Sequence, residues 1–168
     1  MPATYEPIAT QTLGSASASI TFSSIPSTYT DLVIVIGSLG MNSAGSAGRM
    51  RFNGDTGSNY SNTTIWGNGT AAGSNRESSV TSMRIYGVQT GPAANLNNDN
   101  VILQIQNYSN TTTYKTALIR DNLTTETAAI VGLWRSTAAI NSINIISYNL
   151  SDLFNAGSTF TLYGIKAA

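Results

Sequence analysis

Ala156-Gly157-Ser158-Thr159-Phe160-Thr161-Leu162-Tyr163-Gly164-Ile165-Lys166 is the stretch whose reading decides the fold class. Two small residues open it. Phe160 and Leu162 then fall on one side of an extended chain, and Thr159, Thr161 and Tyr163 on the other. That period of two is the signature of a strand with one dry and one wet side. Such a strand must pair inside a sheet, and the N-terminal segment is its expected neighbour.

Working outward, the same pattern recurs. Tyr5 to Leu13 reads as a polar strand. Pro7, which has no N–H to donate, places it at a sheet edge. Ala16, Ala18, Ile20 and Phe22 alternate with Ser15, Ser17, Ser19 and Thr21, and Pro26 marks the turn that follows. Asp31 to Gly37 is apolar on both sides and β-branched, which predicts a central strand covered on both faces. Met41 to Gly48 reads as a loop, and Arg49 to Asn53 as a short strand with Met50 and Phe52 inward. Asn53-Gly54-Asp55-Thr56-Gly57 is dense turn chemistry. Tyr60 to Trp66 is a further strand, and Gly67 to Asn75 a flexible connection. Ser79 to Tyr86 reads as a strand anchored by Met83 and Ile85, and Gly91 to Asn100 as a long polar loop. Alternating runs follow around Val101–Ile105, Tyr114–Ile119 and Thr127–Arg135, and then at Ile143, Ile145 and Tyr148. The total is about ten short strands and no convincing helix. The fold class is therefore all-β: one domain over residues 1–168, an antiparallel jelly-roll-like β-sandwich.

Composition narrows the function. Charged residues are only 10% of the 168, with Ser, Thr, Asn and Gly in their place, and formal net charge is zero. The six arginines and two lysines are scattered, so no electrostatic footprint for nucleic acid or anionic lipid is present. A polar, uncharged surface is weakly protected against association, which favours a protein that lives in an assembly. The absence of cysteine removes disulfides and thiolate metal sites. The absence of histidine removes the commonest general base and metal ligand. Met1 to Glu6 lacks the features of a secretory leader, and Leu32 to Ile36, the longest apolar run, is too short to span a bilayer.

Candidate chemistry is sparse. The acids Glu6, Asp31, Asp55, Glu77, Asp99, Asp121, Glu126 and Asp152 are isolated along the chain. No spacing argues for the facing carboxylate pair of a glycosidase. Asn97-Asn98-Asp99-Asn100 and Asn53-Gly54-Asp55 offer oxygen ligands, but Asn and Asp in such runs more commonly form turns by bonding their own backbone. No catalytic, cofactor or metal residue is expected. The triplets Asn62-Thr63-Thr64 and Asn122-Leu123-Thr124 follow from composition alone. Trp134 reads as core. Trp66, beside a Gly-rich stretch, reads either as a cover over one end of the sandwich, the favoured reading, or as an exposed aromatic of the kind that anchors interfaces or stacks on sugar. The candidate partner-contact residues are Tyr5, Trp66, Arg84 and Tyr86.

Several stretches also carry a resemblance. Thr4 to Leu13, Ala18 to Pro26 and Tyr29 to Val33 resemble the opening of small β-sandwich structural proteins of tailed bacteriophages, those of cyanobacterial phages above all. Arg51 to Asp55 with Asn59-Tyr60-Ser61 fits the same pattern. So do Leu133-Trp134 with Ala138-Ala139-Ile140, and Gly157 to Phe160 with Leu162 to Ile165. Residues from about Ile65 to Asn100 are less familiar and are expected to be peripheral. The resemblance implies a virion component without catalytic residues. Its expected form is a homotrimeric capsid decoration (cement) protein on the outer surface of the phage head, with the major capsid protein as partner. The alternative it implies is a tail fibre or tail-tip adhesion module that binds host-surface glycan.

Overall fold

The computed structural model describes residues 4–42, 47–85, 99–123, 126–149 and 151–166. Within them the chain forms twelve strands: β1 (Tyr5–Thr12), β2 (Ser19–Phe22), β3 (Asp31–Leu39), β4 (Gly48–Phe52), β5 (Tyr60–Gly67), β6 (Ala72–Val80), β7 (Met83–Arg84), β8 (Asp99–Ile105), β9 (Lys115–Asn122), β10 (Thr127–Trp134), β11 (Ile143–Ser147) and β12 (Thr159–Ile165). No helix occurs among the described residues. The strands make two antiparallel sheets of unequal width. The larger runs β1-β12-β3-β8-β9-β10-β5-β6, and the smaller β2-β11-β4-β7.

The closing strand lies where its alternation places it. β12 pairs with β1 from Tyr5 opposite Ile165 to Thr12 opposite Thr159, and with β3 on its other side. β1 is an edge strand, and its ladder is broken by a bulge between Pro7 and Ala9. Proline and bulge together blunt an edge that could otherwise pair with another chain.

The core lies between the sheets. Leu32, Ile34, Ile36, Leu103, Ile119 and Leu162 point inward from the larger sheet, and Ile20, Phe22, Met50, Phe52, Ile143 and Ile145 from the smaller. Side chains at alternate positions meet in a packed layer, the arrangement expected of a sandwich. At one end Tyr60 stacks on Trp134 with ring centroids 6.2 Å apart, and Phe52 sits 5.4 Å from the same Trp134. The turn after β4 is tied to this aromatic group. The Asp55 carboxylate accepts the Trp134 indole N–H at 2.7 Å and the Asn59 amide at 2.9 Å. Asn53 and Gly54 take left-handed φ of 53° and 68°, as tight turn chemistry requires.

Four expectations need correction. Gly67 to Asn75 is not one flexible connection, because β6 begins at Ala72 and pairs with β5 over its length. The expected strand at Ser79–Tyr86 is instead split. Ser79 takes a left-handed φ of 55°, β6 ends at Val80, and the two-residue β7 follows. Residues 65–85 are peripheral only in part, since β6 is a largely exposed edge strand but Met83 and Ile85 are fully buried. Tyr148, expected in the strand of Ile143 and Ile145, lies just past the end of β11 and is exposed.

Gly132 shows how tightly the layers fit. A methyl group there would collide with the Sδ and Cγ of Met83, which is itself fully buried. Gly132→Ala is expected to lower stability by about 1–3 kcal/mol through overpacking. Denaturant unfolding measures this. The double variant with Met83→Ala should lose less than the sum of the two single changes.

Candidate functional site

The smaller sheet covers one face of the larger, and the other face of the larger sheet looks outward. Its side chains follow from the ladder registers. One row runs from Pro7 through Val33, Leu118 and Val131 to Arg76. The next runs from Thr10 through Val35, Ile102, Arg120 and Ala129 to Ile65. Ile65, Val131 and Leu118 are 63%, 51% and 44% exposed, so this is not a covered layer. Scattered single apolar residues on a surface need no explanation, but adjacent ones in consecutive strands do. The strand Asp31–Leu39, expected to be central and covered on both sides, is central, with Leu32, Ile34 and Ile36 in the core and, on the outward side, Val33 buried and Val35 half-buried. Val33 and Val35 face outward, flanked in the ladder by Tyr163 and Gln104, and by Thr161 and Ile102.

This face has relief. A hollow of about 260 Å³ is lined by Gln104, Gln106, Thr116, Leu118 and Val131. A wider one of about 420 Å³ is lined by Ile65, Trp66, Gly67, Arg120, Thr127 and Ala129. The Leu118–Val131 pair lines the first hollow, and Arg120, two positions along β9, lines the second. The outward side of the smaller sheet differs, with Ser19, Thr21, Asn144 and Arg51 among its side chains.

The four candidate contact residues do not form one patch. Tyr5 is exposed at the β1 edge, edge-to-face with Tyr163 at 6.4 Å. Trp66 is half-buried, packed against the core, and its ring lies over Gly73, where a Cβ would meet it at 2.7 Å. Arg84 belongs to a different structure, described next. Tyr86 lies outside the described residues. The outward face itself was not picked out by sequence reading. Its signal was available in the apolar residues Val33, Leu118, Val131 and Ile65, which sit at positions out of phase with the core.

Arg49 and Arg84 are direct cross-strand neighbours on β4 and β7, an arrangement of like charges that destabilises a sheet. Glu77 of β6 resolves it. Its carboxylate accepts both Arg49 Nη1 and Nη2 at 2.9 Å, and Arg84 Nη2 at 3.3 Å. Asn62 donates to the same carboxylate at 3.1 Å, while its Oδ1 accepts the Arg84 backbone N–H at 2.9 Å. The Tyr148 ring covers the Arg49 guanidinium at 4.7 Å. Burial pushes the Glu77 carboxyl up, but the hydrogen bonds and charges of the two arginines outweigh it and hold the pKa at about 2. The cluster fastens β6 and the end of the larger sheet to the smaller one. Arg49 Nε is buried without a partner, and a hollow of about 260 Å³ opens beside the cluster, lined by Arg49, Glu77, Val80, Thr81, Ser82 and Tyr148.

The remaining titratable groups in the interior are also structural in setting. Lys115 is buried, with Nζ donating to the carbonyls of Thr113 at 2.7 Å and Thr137 at 3.3 Å, and burial lowers its pKa. Asp99 and Asp121 share the inner face of β8 and β9 as diagonal neighbours, a relation of about 7–8 Å between backbones. Both are buried and both have interaction partners. Among the described residues no third acid joins them in a metal-binding group, and no open hollow places them on its wall.

No protein-family model matches the chain, and no curated protein does. Among solved structures, it is similar at 12% identity to scytalido-glutamic peptidase bound to a transition state analog inhibitor, covering 89% of this chain and 75% of that one, with a TM-score of 0.34. It is similar at 11% identity to the alginate lyase Aly36B, covering 93% and 77%, with a TM-score of 0.36. Likeness at that level carries no argument about what this chain does.

The ion cluster makes a pH prediction. A folded-state carboxyl at about 2 against an ordinary 4.5 contributes stability that is complete above about pH 4.5. It fades as pH falls through 2. Glu77→Gln should therefore cost about 2–3 kcal/mol near neutral pH. The difference from wild type should shrink towards zero on acidification, which urea unfolding at a series of pH values measures.

Proposed function

We propose that this chain is a structural component of a bacteriophage virion, and specifically a capsid decoration protein that binds the outside of the major capsid lattice. The resemblance of its strand and turn residues to phage β-sandwich proteins motivates the reading. The observation that carries it is the outward sheet face: a broad, apolar-centred surface on a rigid and neutral domain. Surfaces of that kind mark protein contact sites. The reading is non-enzymatic, since the resemblance implies no catalytic residues. The role is mechanical. A protein that binds the assembled lattice and not its dispersed subunits stabilises the lattice by mass action. A homotrimer would extend that linkage across neighbouring capsid subunits.

The glycan-binding alternative draws on exposed aromatics beside amide-rich loops. Trp66, its main candidate for stacking on sugar, is packed on Gly73 and lends it little support. Localisation tests the proposal directly. Electron microscopy of particles from the phage that encodes this chain should show its density on the outer head surface, and added protein should bind mature heads. Density at the tail tip, or heads that lack it, would overturn the reading.

A further inference from the structure

The charge on the outward face is not that of the molecule. The chain as a whole is neutral. Within this face Arg76 and Arg120 are exposed, and neither forms an ion pair among the described residues. Arg135, just past β10, is exposed, and its guanidinium donates to the Ser61 hydroxyl at 3.1 Å. Neither of the two outward rows traced above contains a carboxylate; Asp31, two positions before Val33 on β3, accepts the Asn107 backbone N–H at 2.7 Å. The chain's three ion pairs among the described residues lie elsewhere, at Arg49, Arg84 and Lys166. Free guanidinium groups beside exposed aliphatic residues, with no lysine or glutamate between them, match the composition of a protein interface core. They do not match a solvated rim, where both signs mix.

The placement of Arg120 adds geometry. It stands on the wall of the 420 Å³ hollow beside Ala129, its partner across the ladder, with Ile65 one strand further on. A side chain entering there meets an apolar wall and a planar fork of donors. A carboxylate accepts that fork in a bidentate manner, which a hydroxyl or an amide cannot do as well.

We propose that the outward face of the eight-stranded sheet is the docking face, and that its occupant is a partner protein surface carrying carboxylates within an apolar patch. Arg120 receives one carboxylate inside the hollow, Arg76 and Arg135 meet others along the same side, and Leu118 and Val131 form the apolar centre. A second copy of this chain is the poorer occupant, because it would bring three more arginines to the same surface. The inference rests on the virion reading for the partner's identity only; the carboxylate-bearing chemistry follows from the face.

The test is binding of the full chain to mature heads stripped of it, with Arg120→Glu, Val131→Glu and Thr21→Glu compared. All three positions are exposed, so melting temperatures should stay within a few degrees of wild type. Thr21 lies on the smaller sheet and serves as the control. Arg120→Glu and Val131→Glu should each weaken binding at least tenfold, Thr21→Glu should bind as wild type, and wild-type affinity should fall as salt rises. If wild type binds and both face variants bind equally well, the face is wrong while the virion reading stands. If wild type does not bind heads, the partner is wrong and both fall. If sedimentation equilibrium shows that Val131→Glu lowers an oligomer's mass, the occupant is a second copy and the proposal fails.

Discussion

An eight-stranded sheet covered by a four-stranded one is the constraint on which the rest of the structure depends. Apolar burial drives the two layers together, yet the narrower layer cannot shield every inward side chain of the wider one. The chain solves this differently at its two sides. Beside β12 and β3, irregular segments supply the cover. Phe154 sits edge-on to Phe160 at 5.5 Å, the Tyr29 ring fills the space left by Gly164, and the Tyr108 hydroxyl donates to the carbonyl of Pro26. Beside β5 and β6 a polar solution is used. Glu77 reaches over the short edge strand β7 to Arg49, and Asn62 pins the Arg84 backbone. Breaking one partner of such a cluster leaves buried charge uncompensated, so it holds the sheets in one relation more than it adds net stability.

The same inequality leaves the far side of the larger sheet without a layer. A long antiparallel sheet commonly has one solvated face lined by polar residues. Here Thr residues line the β1 and β12 side of that face, while the middle strands present Ile102, Leu118, Val131 and Ile65. Keeping such residues in water forgoes burial worth about 25 cal/mol for each Å². The proposed partner surface would recover it. The interior, by contrast, holds its titratable groups in structural settings.

Much of the fold was legible in the residues because strand alternation is a local property. The Phe160–Leu162 phase, the edge position of Pro7, the inward Met50 and Phe52 and the core placement of Trp134 all follow from spacing and backbone chemistry. The failures share a cause. The Ser- and Asn-rich stretch from Ala72 to Val80 has no apolar period, because its strand lies at a sheet edge where most side chains meet water. Its pairing with β5 is what makes it a strand, and pairing is not encoded in the stretch itself. Tyr148 was misjudged for a related reason: its position continues β11, but its ring turns out to lie over Arg49.

The sequence by itself determined the class: an uncharged all-β domain without histidine or cysteine, whose alternate side chains separate into wet and dry. It also determined the turns, since Asn53-Gly54 and Gly157 take the left-handed conformations their chemistry allows. Only the tertiary structure decided that the sheets divide eight and four, which apolar row became core and which stayed outside, and that Arg49, Glu77 and Arg84 meet. Those outcomes depend on contacts between residues tens of positions apart. Local periodicity marks two faces on every strand, but only the packing of one sheet on another determines which face is left for a partner.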